Sequence, residues 1–368
     1  MIPDAAHPVV PMLAKAVSEV PAPDSVPGGL SYEPKWDGFR GIVYARRREA
    51  EAGGDTDDRS DARPALDIEI GSRGSKTLTR YFPELVASLA ELLPGPCVLD
   101  GEIVVRTGEP HHGRLDWEAL GQRIHPAASR VAALSVETPA LFVAFDLLAL
   151  GDRDLLDAPF AERRALLVEA VGHAGAPLHV SRATDDVVLA RRWLAEFEGA
   201  GLDGVVAKPL DAPYSPGKRT MLKIKHHRTA DVVVLGYRVH KSGTGVGSLL
   251  LGLHDADGAL RNVGGVSAFS DARRLELVDE LAPLVARDDD GEVVHAETDR
   301  SRFSSGADVS YVPLRPERVL EVRYDQMEGS RFRHTVQFDR WRPDRDPRSC
   351  GFDQLEVPTA YDLDEVLG

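Results

Sequence analysis

Cysteine is nearly absent: the 368-residue chain has two, Cys97 and Cys350. A disulfide framework and a cysteine-built zinc site are both excluded by that scarcity. No run of about 18 apolar residues occurs, so no transmembrane helix and no membrane partner are expected. The amino terminus, MIPDAAHPVVPMLAKAV, lacks the basic stretch and long apolar run of a signal peptide. A soluble, cytoplasmic protein is the expectation. Positive charge is also short: 44 Lys and Arg stand against 59 Asp and Glu, a net charge of −15. As a total, that balance argues against nucleic acid, whose phosphates need cations. Total charge is a sum over the surface, however, and a basic patch can sit beside acidic faces.

What is present is ample apolar material, 43% of residues, enough for a core and against wholesale disorder. Single cores rarely outgrow about 250–300 residues, so two domains are expected. Residues 1–29 are proline-rich and read as an extended lead-in. Residues 30–45 read as two short strands around Pro34-Lys35-Trp36-Asp37-Gly38. Residues 46–65 are charged and read as a flexible surface loop. Strands follow at 66–72, 97–105 and 140–149, and helices at 81–93, 114–134, 160–171 and 185–200. Short strands at 205–208 and 221–225 complete an α+β domain. From Ala230 the texture changes to strands separated by Gly and Asp turns, with a helix at 271–286. Later strands fall near 309–312, 317–327 and 335–342. That pattern predicts a small Greek-key barrel such as an OB-fold. The expected domains are 1–227 and 228–368.

Several residues are out of keeping with their surroundings. Lys35 lies between two strands beside Asp37 and Gly38. A lysine is a nucleophile only as the neutral amine, and neighbouring cations favour that form. Taken alone, Lys-x-Asp-Gly is also an ordinary turn. Asp100 and Glu102 interrupt the apolar strand CVLDGEIVV, Asp146 interrupts FVAFDLL, and Asp203 opens VVAK. Acids inside apolar strands cost free energy unless paired or metal-bound. Lys223 and Lys225 share one face of a strand by alternation, which suits a phosphate. His111-His112 and His226-His227 have no spaced acidic partner and read as surface residues.

These elements, in this order, resemble the ATP-dependent DNA ligases, within the superfamily that also holds RNA ligases and mRNA capping enzymes. Lys35-Trp36-Asp37-Gly38 resembles motif I, and Ser72-Arg73-Gly74 the motif that follows. Asp100-Gly101-Glu102 resembles motif III, with Phe142 to Asp146 after it. Asp203 to Lys208 resembles motif IV and Lys223-Ile224-Lys225 motif V. Arg340-Trp341-Arg342-Pro343-Asp344-Arg345 resembles motif VI. EPKWDGFR, FVAFDLLALGD and VPLRPERVLEVRYDQMEG are closest to the small bacterial C-type ligases. Two positions depart: Asp203 stands where Glu is usual, and Arg345 where Lys is usual.

The resemblance implies a nucleotidyltransferase (adenylation) domain followed by an OB-fold domain. It implies that Lys35 attacks the α-phosphate of ATP, that AMP passes to the 5′-phosphate of a nick, and that the 3′-hydroxyl then displaces AMP. Glu33, Arg40, Arg73, Glu102, Phe145, Lys223 and Lys225 would bind the nucleotide. Phe145 would stack on adenine, with Glu33 near its exocyclic amine. Glu102 and Asp203 would hold Mg2+ or Mn2+. Arg342, Asp344 and Arg345 would reach the pyrophosphate when the second domain closes. The partner would be nicked double-stranded DNA, contacted by the basic runs at 217–241 and 331–348. A monomeric, nucleoid-associated repair enzyme, with repair proteins as further partners, completes the expectation. The rivals are an RNA ligase or capping-type transferase sharing Lys35, and a non-catalytic scaffold retaining the motifs.

Overall fold

The computed structural model describes residues 2–48, 65–74, 76–109, 112–226, 228–297 and 310–367. It forms two compact units, Met1–Lys225 with Pro358–Gly368, and His226–Val357. The last residues were expected to follow the second domain. They instead pack on the first unit, because Leu363 and Val366 put two apolar side chains into its core.

The first unit is α+β with two largely antiparallel sheets. One runs Leu66–Ser72, Phe39–Arg47, Cys97–Thr107, Ala140–Leu150 and Arg153–Asp154. The other runs Leu13–Val17, Arg219–Ile224, Val205–Pro209 and Leu30–Pro34. Leu13–Val17 lies in the stretch read as a lead-in, and it pairs parallel to Arg219–Ile224. A partner some 200 residues away leaves no local signal, which is why composition missed it.

Helices Pro83–Leu92 and Phe160–Val171 appear where spacing placed them. The first starts on Pro83, whose missing N–H costs nothing there, and buries Leu85 and Leu89 four residues apart. The expected helix at 114–134 is broken. A short strand Arg114–Leu115 precedes helix Trp117–Gln122, and a separate helix spans Ala128–Glu137. Pro126 accounts for the gap, since it drives the residue before it toward extended backbone. Arg123 secures the break: fully buried, it forks onto Glu84 at 2.7 and 2.9 Å and donates to the carbonyls of Tyr81 and Thr138. Helix Val187–Glu196 is capped by Asp186, whose carboxylate accepts from the Val188 N–H.

The second unit is an OB-fold barrel. Strand Arg228–Val239 pairs with Val246–His254, Ser310–Pro313 and Val319–Tyr324. Val246–His254 continues to Leu260–Val266, and Val319–Tyr324 to Gln337–Trp341. A bridge between Val266 and Val336 brings the two ends together. Helix Asp271–Leu281 buries Leu277 and Leu281 against the core. Among the described residues, no helix is long and apolar enough to cross a membrane. Most of the 46–65 loop, His111 and His227 lie outside the described residues.

Candidate active site

Lys35 directly follows strand Leu30–Pro34, at the crossing from one sheet of the first unit to the other. Its backbone is locked against the start of Val205–Pro209: Lys35 N–H donates to Gly204 O, and Asp203 N–H donates to Lys35 O, both at 2.9 Å. Gly204 sits at φ +116°, and a Cβ there would stand 2.0 Å from Ile224 O, so only glycine lets the strands approach. Gly38 is required likewise, since its Cβ would meet Ile103 O at 2.1 Å.

That locking brings charges together. Lys35 Nζ lies 2.5 Å from Asp203 Oδ2, and Lys225 Nζ lies 2.9 Å from the same oxygen. Asp203 is 6% exposed. Burial raises its carboxyl, but the two ammonium groups outweigh that and hold it below the usual range. Lys223 is pushed down from its ordinary value by burial and then by repulsion from Lys225 and Lys35. Glu102 faces Arg40 across paired strands and accepts the Gly38 N–H at 3.2 Å. Burial pushes its carboxyl up to about 7, against the opposing pull of Arg40 and Lys35. Lys35, Glu102, Asp203, Lys223 and Lys225 therefore form one electrostatic cluster.

Other predicted residues stand behind it. Arg40 forks onto buried Asp100 at 2.5 and 2.6 Å, while Tyr214 donates to Asp100 Oδ2 at 2.6 Å. The Arg40 guanidinium also lies 4.5 Å from the Phe145 ring centre. Glu33 is 2% exposed, with one carboxylate oxygen 2.9 Å from Lys208 Nζ and the other lacking a hydrogen-bond partner. Burial raises the Glu33 carboxyl, and Lys208 opposes the shift. Lys208 also donates to Phe145 O at 2.9 Å. Arg73 is exposed in the turn after Leu66–Ser72, where Ser72 pairs with Gly41. Among the described residues, no contact draws it into the cluster.

Arg342, Asp344 and Arg345 belong to the second unit. Arg342 donates to Asp231 at 2.9 and 3.1 Å and to Asp344, and Arg345 Nε stands 3.4 Å from Asp231. Arg342 lowers the Asp344 carboxyl to about 2. Asp146, singled out as an acid for chemistry, is instead paired with buried Arg163 at 2.7 and 3.0 Å. Sequence reasoning assigned no role to Lys208, Tyr214 or Arg163. A lysine ending an apolar strand was a faint signal for the first; the other two had none.

Among the described residues, no three His, Cys, Asp or Glu side chains converge to cage a metal. Glu102 and Asp203 are acids that both feel the charge of Lys35. Two carboxylates with the rest of the shell left to phosphate and water is a donor set suited to magnesium.

The comparisons cover both units. Residues 62–225 match the ATP dependent DNA ligase domain, and residues 242–345 the ATP dependent DNA ligase C terminal region. The chain is 54% identical to DNA ligase C of Mycobacterium tuberculosis, across 98% of this chain and 97% of that protein. It is 52% identical to DNA ligase C1 of Mycolicibacterium smegmatis, again across 98% and 97%. A Lig E DNA ligase structure shares the fold at TM-score 0.54 and 15% identity, covering 91% of this chain and all of the other. A match spanning both units at such identity excludes the RNA-ligase, capping and scaffold alternatives, and the chain belongs to the ATP-dependent DNA ligases, among the small bacterial enzymes of the C type.

Proposed function

We propose that Lys35 is the residue adenylated, and that the first unit is the adenylation domain of a monomeric ligase sealing nicks in DNA repair. The observation that carries the assignment is the bridging of Lys35 and Lys225 by Asp203, with Glu102 and Lys223 beside them. The Lys35 amine, having given up a proton, attacks the α-phosphorus of ATP. A nitrogen–phosphorus bond forms, the bond to pyrophosphate breaks, and AMP remains on Lys35. AMP then passes to the 5′-phosphate of the nick, and the 3′-hydroxyl displaces it to close the backbone. Positioning and charge neutralisation supply most of the rate in such transfers.

The remaining roles are those that likeness to the ATP-dependent DNA ligases implies. Lys223 and Lys225 hold the α-phosphate, Phe145 stacks on adenine, and Glu33, pinned by Lys208, faces its amino group. Arg40, oriented by Asp100, borders the ribose, and exposed Arg73 meets the DNA phosphate. Glu102 and Asp203 would hold Mg2+ or Mn2+, which when bound would neutralise phosphate charge. Arg342, Asp344 and Arg345 reach the pyrophosphate when the OB unit closes. The repair setting rests on likeness to the C-type ligases, and repair proteins are its further partners.

Purified protein is incubated with α-labelled ATP and magnesium, then chased with nicked DNA. Label should enter the wild-type chain, leave it on the chase, and never enter Lys35→Ala. Labelled Lys35→Ala, or a wild type that stays unlabelled, overturns the assignment.

A further inference from the structure

The chain leaves the first unit between Lys225 and His226 and returns to it between Val357 and Pro358. The returning segment is built into its surroundings. Leu363 and Val366 are fully buried in the cluster holding Trp193, Phe197 and Ala200. The Tyr361 ring lies 5.1 Å from that of Phe197. Leu363 N–H donates to Gly113 O at 2.8 Å, Gly113 N–H donates to Asp362 at 3.3 Å, and Arg106 pairs with Asp364 at 2.7 Å. Gly199 leaves room for the passage: a Cβ there would stand 1.8 Å from Thr359 O.

Within the second unit, the two connections emerge together. Arg228 begins the first barrel strand, and its Nε donates to Glu356 Oε2 at 2.8 Å. The first connection joins strands Arg219–Ile224 and Arg228–Val239. The second is as short, running from Val357 to the docked Thr359.

We infer that Pro358–Leu367 is a strap that makes the joint between the units two-stranded and limits how the OB unit swings during catalysis. A single connection permits rotation about many axes. Two short connections leave the OB unit fewer orientations than one does. The strap thereby raises the frequency with which the second unit reaches its closed arrangement, as any short tether raises effective concentration. The inference rests on the reading that closure delivers Arg342, Asp344 and Arg345.

The test lengthens the second connection without removing the strap. Ten or twenty Gly/Ser residues are inserted between Val357 and Pro358, with the same insertion after Gly368 as control. The longer internal insertion should slow single-turnover adenylation of Lys35 about three-fold or more. Sealing of pre-adenylated nicked DNA should stay within about two-fold, because no pyrophosphate leaves in that step. Hydrogen exchange at the Leu363 and Val366 amides should remain protected. Unchanged adenylation, an equal loss in both steps, or loss of that protection overturns the strap. Arg342→Ala in the unmodified chain separates the two ideas. If it adenylates normally, the closure reading fails. If it is defective while the insertions are silent, only the strap fails.

Discussion

Asp146 gives the sharpest test of how the structure reassigns an acid. It lies in an apolar strand next to Phe145, where a catalytic role is the natural suspicion. The structure makes it a counter-ion: both its side chain and that of Arg163 are 2% exposed or less, and the contact is a two-pronged fork. Arg163 Nη1 donates to the carbonyls of Ala158 at 2.5 Å and Ala212 at 3.1 Å. Asp146→Leu would leave a guanidinium buried without its counter-charge, at a cost of about 3–5 kcal/mol. Asp146→Leu with Arg163→Met removes both charges, and its cost, roughly 1–3 kcal/mol, is then mainly the Arg163 hydrogen bonds lost at the carbonyls of Ala158 and Ala212, the second of which keeps the Phe160 N–H. The double variant should therefore be more stable than the single one, by about 1–3 kcal/mol.

Urea titration followed by tryptophan fluorescence measures this, since the first unit contains Trp36, Trp117 and Trp193 and the second only Trp341. The transition of each unit must be read separately, because two units need not unfold as one. At a temperature where both variants are folded, Lys35 adenylation at saturating ATP should stay within about ten-fold of wild type. Asp146→Leu as stable as wild type yet unable to form lysyl-AMP would refute the argument, and Asp146 would return to the chemistry.

Further outcomes follow from the same contacts. Asp203→Asn removes the charge shared by Lys35 and Lys225 and should slow adenylation about 100-fold, while Asp203→Glu, the acid usual in the family, should retain most activity; equal rates for Asn and wild type would remove Asp203 from the site. Glu102 has its folded value raised from 4.5 to about 7, so its ionisation opposes folding above that range. Glu102→Gln should match the stability of wild type at pH 4 and exceed it at pH 8.5 in the absence of nucleotide, as a difference in Tm reports; a constant difference across pH contradicts this. Gly199→Ala forces a Cβ onto the Thr359 carbonyl and should lower Tm and expose the Leu363 amide to exchange; an unchanged Tm would mean the strap yields freely. Affinity for nicked DNA should fall about 1,000-fold between 50 and 200 mM salt, and a flat salt response would exclude phosphate contacts as its source.

Sequence legibility tracked distance along the chain. Lys35 with Asp37 and Gly38, the acid opening VVAK, and Lys223 with Lys225 are contiguous strings, so their types and spacing were visible at once. The OB barrel was visible because its strands are separated by Gly and Asp turns and carry their own alternation. Pairings across long separations were not visible: Glu33 meets Lys208, Asp100 meets Arg40 and Tyr214, and Leu13–Val17 meets Arg219–Ile224. None of these has a period or a local partner to read. The strap escaped for a related reason. Leu363 and Val366 are two apolar residues in a short acidic tail, and nothing nearby names the groove they fill.

The departure at Asp203 bears on how activation begins. One carboxylate oxygen holds both Lys35 and Lys225, and Lys223 feels both lysines. In a chain of net charge −15, this is a local concentration of cations with one acid at its centre. On the role proposed for Lys35, a triphosphate entering such a site would compete with Asp203 for the lysines, so that binding substrate and freeing the amine become one exchange. Glu102 adds to the same exchange, since its carboxyl lies near 7 without nucleotide and a cation arriving with the phosphates favours its charged form.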